Sequence, residues 1–125
     1  MKGIELIFLA VGAIVGACLR YRITESSMVL GGISINILVV NVVGSFILGV
    51  FSVVSPFLNL DTHYILFMSV GFCGSLTSMS ALALETCNLL DNSYFHLAVL
   101  NIIANAFLSL GALVAGRALT TLILL

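Results

Sequence analysis

Asparagine amides and serine or threonine hydroxyls recur at regular intervals in stretches that hold almost nothing else polar. Asn41 stands midway along one apolar run, while Asn101, Asn105 and Ser109 repeat every four residues in another and so share one face of a helix. A third place, Gly71-Phe72-Cys73-Gly74-Ser75-Leu76-Thr77-Ser78, gathers glycines and hydroxyls. Uncharged groups of this kind donate hydrogen bonds, and leaving one uncompensated in hydrocarbon is costly. They therefore either glue helices together or present N–H and O–H donors to an anion. No carboxylate lies deep in the second or fourth run, which argues against a cation path or a proton relay there.

Such residues need elements that hold them inside a bilayer, and the composition supplies those. Of 125 residues, 62% are hydrophobic and 7% charged, with a mean hydropathy of +1.31. A soluble domain of this size could not hide that much apolar surface. Four segments, at about residues 4–21, 29–55, 63–88 and 94–123, each reach the length of about 20 apolar residues that a spanning helix needs. The connections between them carry Thr, Ser, Asn, Asp and Pro, which suit caps and turns. Barrel strands are about half this length and alternate in polarity, so the expected fold is an all-helical integral membrane bundle, multi-pass in the plasma or inner membrane. Backbone groups freed in lipid must be satisfied by protein or by a water-filled cavity. The expected break in the third helix, at Gly74, Ser75, Thr77 and Ser78, is therefore a candidate ion site.

The remaining features are mostly structural. Gly12 and Gly16 in the first segment, and Gly111 and Ala115 in the last, have the spacing that lets membrane helices approach closely. Cys18, Cys73 and Cys87 lack metal-site spacing and read as buried small hydrophobes. Lys2, an apolar run and Val15-Gly16-Ala17-Cys18 resemble a lipoprotein signal, but Arg20-Tyr21-Arg22 follows as an interfacial anchor, and the spanning reading is preferred. His63 and His96 at the loop edges read as interfacial caps. Four spans place Lys2 and Arg117 on one side, and Arg20 and Arg22 on the other. That balance gives no orientation bias, so the chain is free to insert either way up and to pair head to tail with a second copy. A net charge of −1 offers no basic surface for nucleic acid. No nucleophile–base pair or extramembrane pocket is discernible, which excludes an enzyme.

Three motifs, in order, carry a resemblance over essentially the whole chain. Gly12-Ala13-Ile14-Val15-Gly16-Ala17-Cys18-Leu19-Arg20-Tyr21, Val40-Asn41-Val42-Val43-Gly44-Ser45-Phe46-Ile47-Leu48-Gly49 and Gly71-Phe72-Cys73-Gly74-Ser75-Leu76-Thr77 resemble the three helix motifs of the CrcB, or Fluc, family of fluoride channels. The resemblance implies a dual-topology antiparallel dimer with two narrow pores that let fluoride leave a microbial cytoplasm passively. It also implies a structural sodium ion on the dimer axis, held by the backbone carbonyls of Gly74 and Thr77. Asn41 matches the family's pore asparagine, Ser80 and Ser109 its polar track, and Arg20 and Glu85 its helix-end charges. Fluoride holds its water strongly, so donors at close range must replace that shell.

The chain departs from the family in one stretch. The family's third helix usually continues Thr-Thr-Phe-Ser-Thr-Phe, whereas this chain reads Thr77-Ser78-Met79-Ser80-Ala81-Leu82. Met79 and Leu82 stand where pore-lining phenylalanines are expected. This fits a homodimer in which Met79 takes part of the aromatic role, one subunit of a heterodimer with a related second chain, or a channel of altered selectivity. Two competitors come from other classes. A small proton-coupled drug exporter would need a deep carboxylate, for which Glu5 and Glu85 lie too near the segment ends. A non-transporting packing subunit would leave the third-helix break unexplained.

Overall fold

The computed structural model describes residues 2–26 and 28–125. Its helices, long and apolar enough to cross a membrane, number four among the described residues: Gly3–Thr24, Ile35–Phe57, Thr62–Asp91 and Phe95–Leu124. We label Gly3–Thr24 α1 and Ile35–Phe57 α2. The third span is composite. A short α3 (Thr62–Ile65) leads into a π-helical stretch (Leu66–Cys73) and a single turn, α4 (Gly74–Leu76). After two extended residues, α5 (Met79–Asp91) completes it, and α6 is Phe95–Leu124.

The expected second helix, from residue 29, starts too early. Val29–Leu30 (β1) and Ile33–Ser34 (β2) instead form a two-stranded antiparallel hairpin pairing Val29 with Ser34 and Leu30 with Ile33. Gly31 and Gly32 close it with φ of 62° and 91°. A two-residue hairpin loop of the twist-matched type demands positive φ at both positions, and glycine takes it without penalty. The bundle is thus all-helical except for this small ribbon. Asn36 ties the ribbon down: its Oδ1 accepts from Met28 N–H at 3.2 Å, and its Nδ2 donates to the Ile23 carbonyl at 2.9 Å and to the Ser26 carbonyl.

Backbone-to-backbone contact at glycines brings the spans together. A Cβ on Gly12 or Gly16 of α1 would overlap the Phe67 or Phe72 carbonyl of the π-helical stretch, and one on Gly49 of α2 would overlap the Leu113 carbonyl of α6. The close packing expected of Gly12 and Gly16 is therefore present. In α6 it belongs to Gly116, which lies against the Phe46 carbonyl, and not to Gly111, around which 4 Å of space is empty. Cys73 is buried as expected, but Cys18 and Cys87 face outward. Asp61, not His63, caps α3: its Oδ1 accepts from Thr62 N–H at 2.8 Å, while the His63 ring packs edge-on to Phe8.

Candidate functional site

The third span opens at Thr77 and Ser78, which are extended (ψ of 153° and 107°). This break is narrower than expected, since Gly74 and Ser75 remain helical. An uninterrupted helix would pass the Ser78 N–H to the Gly74 carbonyl. Instead it donates to Asn41 Oδ1 at 2.8 Å. The Ala81 N–H, due to the Thr77 carbonyl, donates to Ser78 Oγ at 3.0 Å as the N-cap bond that restarts the helix. The two carbonyls marked as cation ligands, Gly74 and Thr77, have both lost their helical donors to side chains.

From Asn41 a series of amides runs across to α6 and back to α5. Asn41 Nδ2 donates to Asn105 Oδ1 at 3.0 Å, and Asn105 Nδ2 donates to the Asn101 carbonyl at 2.9 Å and to Asn101 Oδ1 at 3.2 Å. Asn101 Nδ2 then donates to Thr86 Oγ1 at 3.2 Å, whose own proton goes to the Leu82 carbonyl at 2.8 Å. All of these side chains are buried, with Asn101 only 1% exposed. The i, i+4 spacing marked Asn101 and Asn105 in the sequence. Nothing in it marked Thr86, whose side-chain partner Asn101 is brought up by α6 packing, or Asn36, whose partners Ile23, Ser26 and Met28 come from the end of α1 and the turn before the hairpin.

Two cavities flank the break. The inner one, of about 360 Å³, is lined by Asn41, Gly74, Thr77, Met79, Leu82 and Ser109, together with Ser45, Ser69, Ser78, Asn105 and apolar neighbours. The outer one, of about 390 Å³, is lined by Arg20, Glu25, Ser34, Asn36, Val40 and Ala81 among others, and again by Ser78. Ser78 is thus the side chain common to both. Ser109 Oγ is buried with no hydrogen-bond partner, one turn beyond Asn105. Asn41 Nδ2 has a second proton whose nearest acceptor, the Ser78 carbonyl, lies at 3.5 Å, the limit of a useful bond. The inner cavity therefore holds the Asn41 and Ser109 donors with capacity to spare, beside the hydroxyls of Ser45 and Ser69, and no ionisable Asp, Glu, Lys, Arg or His among its lining residues.

The structure brings Asn41, Ser109, Met79, Leu82, Gly74 and Thr77 to one cavity. Ser80 lies outside it, exposed, with its Oγ 3.3 Å from Ser78 Oγ. Arg20 lines the outer cavity. Glu85 sits against the hairpin, where its Oε1 accepts the Ser34 N–H at 3.3 Å. Glu5 accepts from the Lys2 N–H at 3.1 Å at the start of α1. Neither carboxylate reaches the inner cavity, so the proton exchange an exporter requires has no group there to perform it. Leu82 is 7% exposed and Met79 78% exposed, so the two replaced phenylalanine positions differ: one is packed within the chain and the other stands free of it.

Four apolar spans, a break at which the Ser78 and Ala81 N–H groups leave the helical ladder, and a cavity lined partly by uncharged polar side chains define a small polytopic membrane protein. The family model described as CrcB-like protein, Camphor Resistance (CrcB), matches residues 7–117, and the chain belongs to that family. Among its relatives, a protein of Nitrosopumilus maritimus named fluoride-specific ion channel FluC is 52% identical over 99% of this chain and 98% of its own length. Proteins of the same name from Methanocaldococcus jannaschii and Methanococcus maripaludis are 40% and 39% identical over 92% and 90% of this chain, and 93% of their own lengths. These relatives are named as channels and not as enzymes, and the chain is a multi-pass plasma-membrane protein.

Proposed function

We propose that this chain is a fluoride-selective channel that lets fluoride leave the cytoplasm passively, and that it works as an antiparallel pair with two pores. The observation that carries the reading is the inner cavity, where the Asn41 amide and the Ser109 hydroxyl have unspent donors and no fixed charge lies among the lining side chains. Uncharged donors at close range can substitute for fluoride's hydration shell without binding the ion so tightly that it cannot leave. A carboxylate would repel it, and a buried lysine or arginine would trap it. Arg20 and Glu25 both line the outer cavity, and of the two it is Arg20 that would draw an anion to that mouth.

The second copy is supported by the open side of the cavity. Met79 lines it and is 78% exposed, Ser80 next to it is exposed, and Gly74 is exposed beside Thr77. A head-to-tail partner would cover these residues and complete the pore wall, with lipid around the remainder. The same face suits a structural sodium ion. The carbonyls of Gly74 and Thr77 lack their helical donors, and two copies would present four such oxygens to a cation on their shared axis. Bound there, sodium would supply positive charge that fixes the unwound backbone.

Purified protein reconstituted in liposomes is expected to release loaded fluoride and to retain chloride. Release of neither ion overturns the reading. Because Met79 and Leu82 replace phenylalanines expected from the family pattern, a heterodimer is the second reading, and fluoride release only after co-reconstitution with a related chain would select it.

A further inference from the structure

The hydrogen bonds behind Asn41 have a direction that the backbone imposes. The Ser78 N–H can only donate, so the Asn41 atom facing it at 2.8 Å is oxygen, and the atom facing Asn105 is nitrogen. The Asn101 carbonyl can only accept, so the Asn105 atom facing it at 2.9 Å is nitrogen, and its oxygen is turned to Asn41. Asn105 Nδ2 also meets Asn101 Oδ1, which leaves Asn101 Nδ2 for Thr86. The Thr86 hydroxyl has the Leu82 carbonyl to receive its proton, so it accepts from Asn101 and donates onward. Every member between Ser78 N–H and Leu82 C=O donates in the same sense, and reversing one would set donor against donor at the next.

We infer that Asn105, Asn101 and Thr86 are positioning residues for Asn41: they occupy one of its two Nδ2 protons and leave the other, held only by the Ser78 carbonyl at 3.5 Å, for an anion in the inner cavity. Asn101 and Thr86 do not line that cavity, and Asn101 is 1% exposed, so their amide and hydroxyl act through Asn105 and touch no ion themselves. Of the alternating polar face in α6, only Asn105 and Ser109 reach the cavity. An amide left to rotate would present its oxygen to an anion for part of the time; one clamped by Asn105 and Ser78 presents N–H always. The inference rests on the fluoride reading above and identifies the device that gives the cavity its donor character.

Thr86→Val removes the acceptor for Asn101 with little change in shape, whereas Thr86→Ser keeps it. In folded protein, the fluoride concentration that half-saturates the shift of the Asn41 side-chain amide, assigned by its contact with the Ser78 N–H in asparagine-labelled NMR spectra, is expected to rise about tenfold in Thr86→Val, the worth of one weakened bond to a charged group. Thr86→Ser is expected to restore it, and liposome flux should follow the same order. A folded Thr86→Val with native half-saturation and flux overturns the positioning role while leaving the channel reading intact; native protein that passes no fluoride overturns both. If Thr86→Val does not fold, the native spectrum decides. One Asn41 Nδ2 proton should move on fluoride addition while its partner proton and the Asn101 amide stay in place, and equal movement at Asn101, or none at Asn41, overturns the proposal.

Discussion

Where α1 meets the π-helical stretch, and where α2 meets α6 at Gly49 and Gly116, closeness comes from missing side chains; where α2 meets α5 and α6 beside the break, it comes from side chains that bond. Gly12 and Gly16 let the Phe67 and Phe72 carbonyls lie directly on α1, with no side chain between the two backbones at these points. Across the break, Asn41, Asn105, Asn101 and Thr86 bridge the same kind of gap with amides and a hydroxyl, and the bridge leaves an Asn41 proton and the Ser109 hydroxyl uncommitted. Both solutions satisfy lipid's demand that no polar group go unpaired cheaply. The second leaves an amide proton and a hydroxyl uncommitted beside a cavity, and the proposed ion path is assigned to that seam.

The largest effect is expected in the glycine seam. Gly12→Leu places a side chain where the Phe67 backbone already lies, and backbone cannot retreat as a flexible side chain could. A cost of about 3 kcal/mol or more is expected, seen as loss of a monodisperse peak on size-exclusion chromatography in detergent. A stable, correctly sized Gly12→Leu protein would break the claim that this seam is closed by sterics.

Next comes a change that strikes the ion path directly while also setting an oxygen against Asn105 Oδ1. Asn41→Asp keeps an oxygen for the Ser78 N–H but removes both Nδ2 protons and adds a negative charge at the cavity wall. Fluoride flux is expected to fall by about a hundredfold, in line with losing a bond to a charged group and gaining a repulsion. Liposome efflux measures it, and native flux would remove Asn41 from the pathway.

These two seams were unequally legible in the sequence. Four spans, Gly12 and Gly16, Asn41 and the Asn101–Asn105–Ser109 face were all readable, because hydropathy, small-residue spacing and helical period are local. The hairpin at Val29–Ser34 was not anticipated: its apolar residues continue the hydropathy of α2, and only the paired glycines betray the turn. The break was placed correctly but drawn too wide, since Gly74 and Ser75 keep helical geometry and the unwinding is fixed by Asn41 capturing one amide proton from another helix. Thr86 and Asn36 were invisible for the same reason. Their roles depend on partners 15 and 8 to 13 residues away, brought near by tertiary packing alone.

Smaller effects separate the two replaced phenylalanine positions and the spare hydroxyl. Leu82→Phe enlarges a residue only 7% exposed and is expected to cost about 1–3 kcal/mol by overpacking, whereas Met79→Phe, at a residue 78% exposed, should change the chain's own stability by less than about 0.5 kcal/mol. Thermal unfolding in detergent would show the pair, and equal shifts would mean that both side chains are packed alike. Ser109→Ala removes an oxygen with no partner in the chain, so stability is expected to hold within about 0.5 kcal/mol while fluoride flux falls roughly tenfold. A loss of stability with unchanged flux would make Ser109 structural.

The smallest expected effect tests the seam rule from its other side. Gly111 and Gly116 both lie in α6, but a Cβ on Gly111 meets nothing within 4 Å while one on Gly116 meets the Phe46 carbonyl and the Val50 N–H. Gly111 instead borders an outward groove shared by α2 and α6 and lined by apolar side chains. In open space alanine should gain slightly from its better helix propensity, so Gly111→Ala is expected to raise stability by up to about 1 kcal/mol. Gly116→Ala should lower it clearly, since the helices must separate to admit the methyl. If Gly111→Ala proved as harmful as Gly116→Ala, something beyond this chain would have to lie against Gly111, and the groove would belong to an interface.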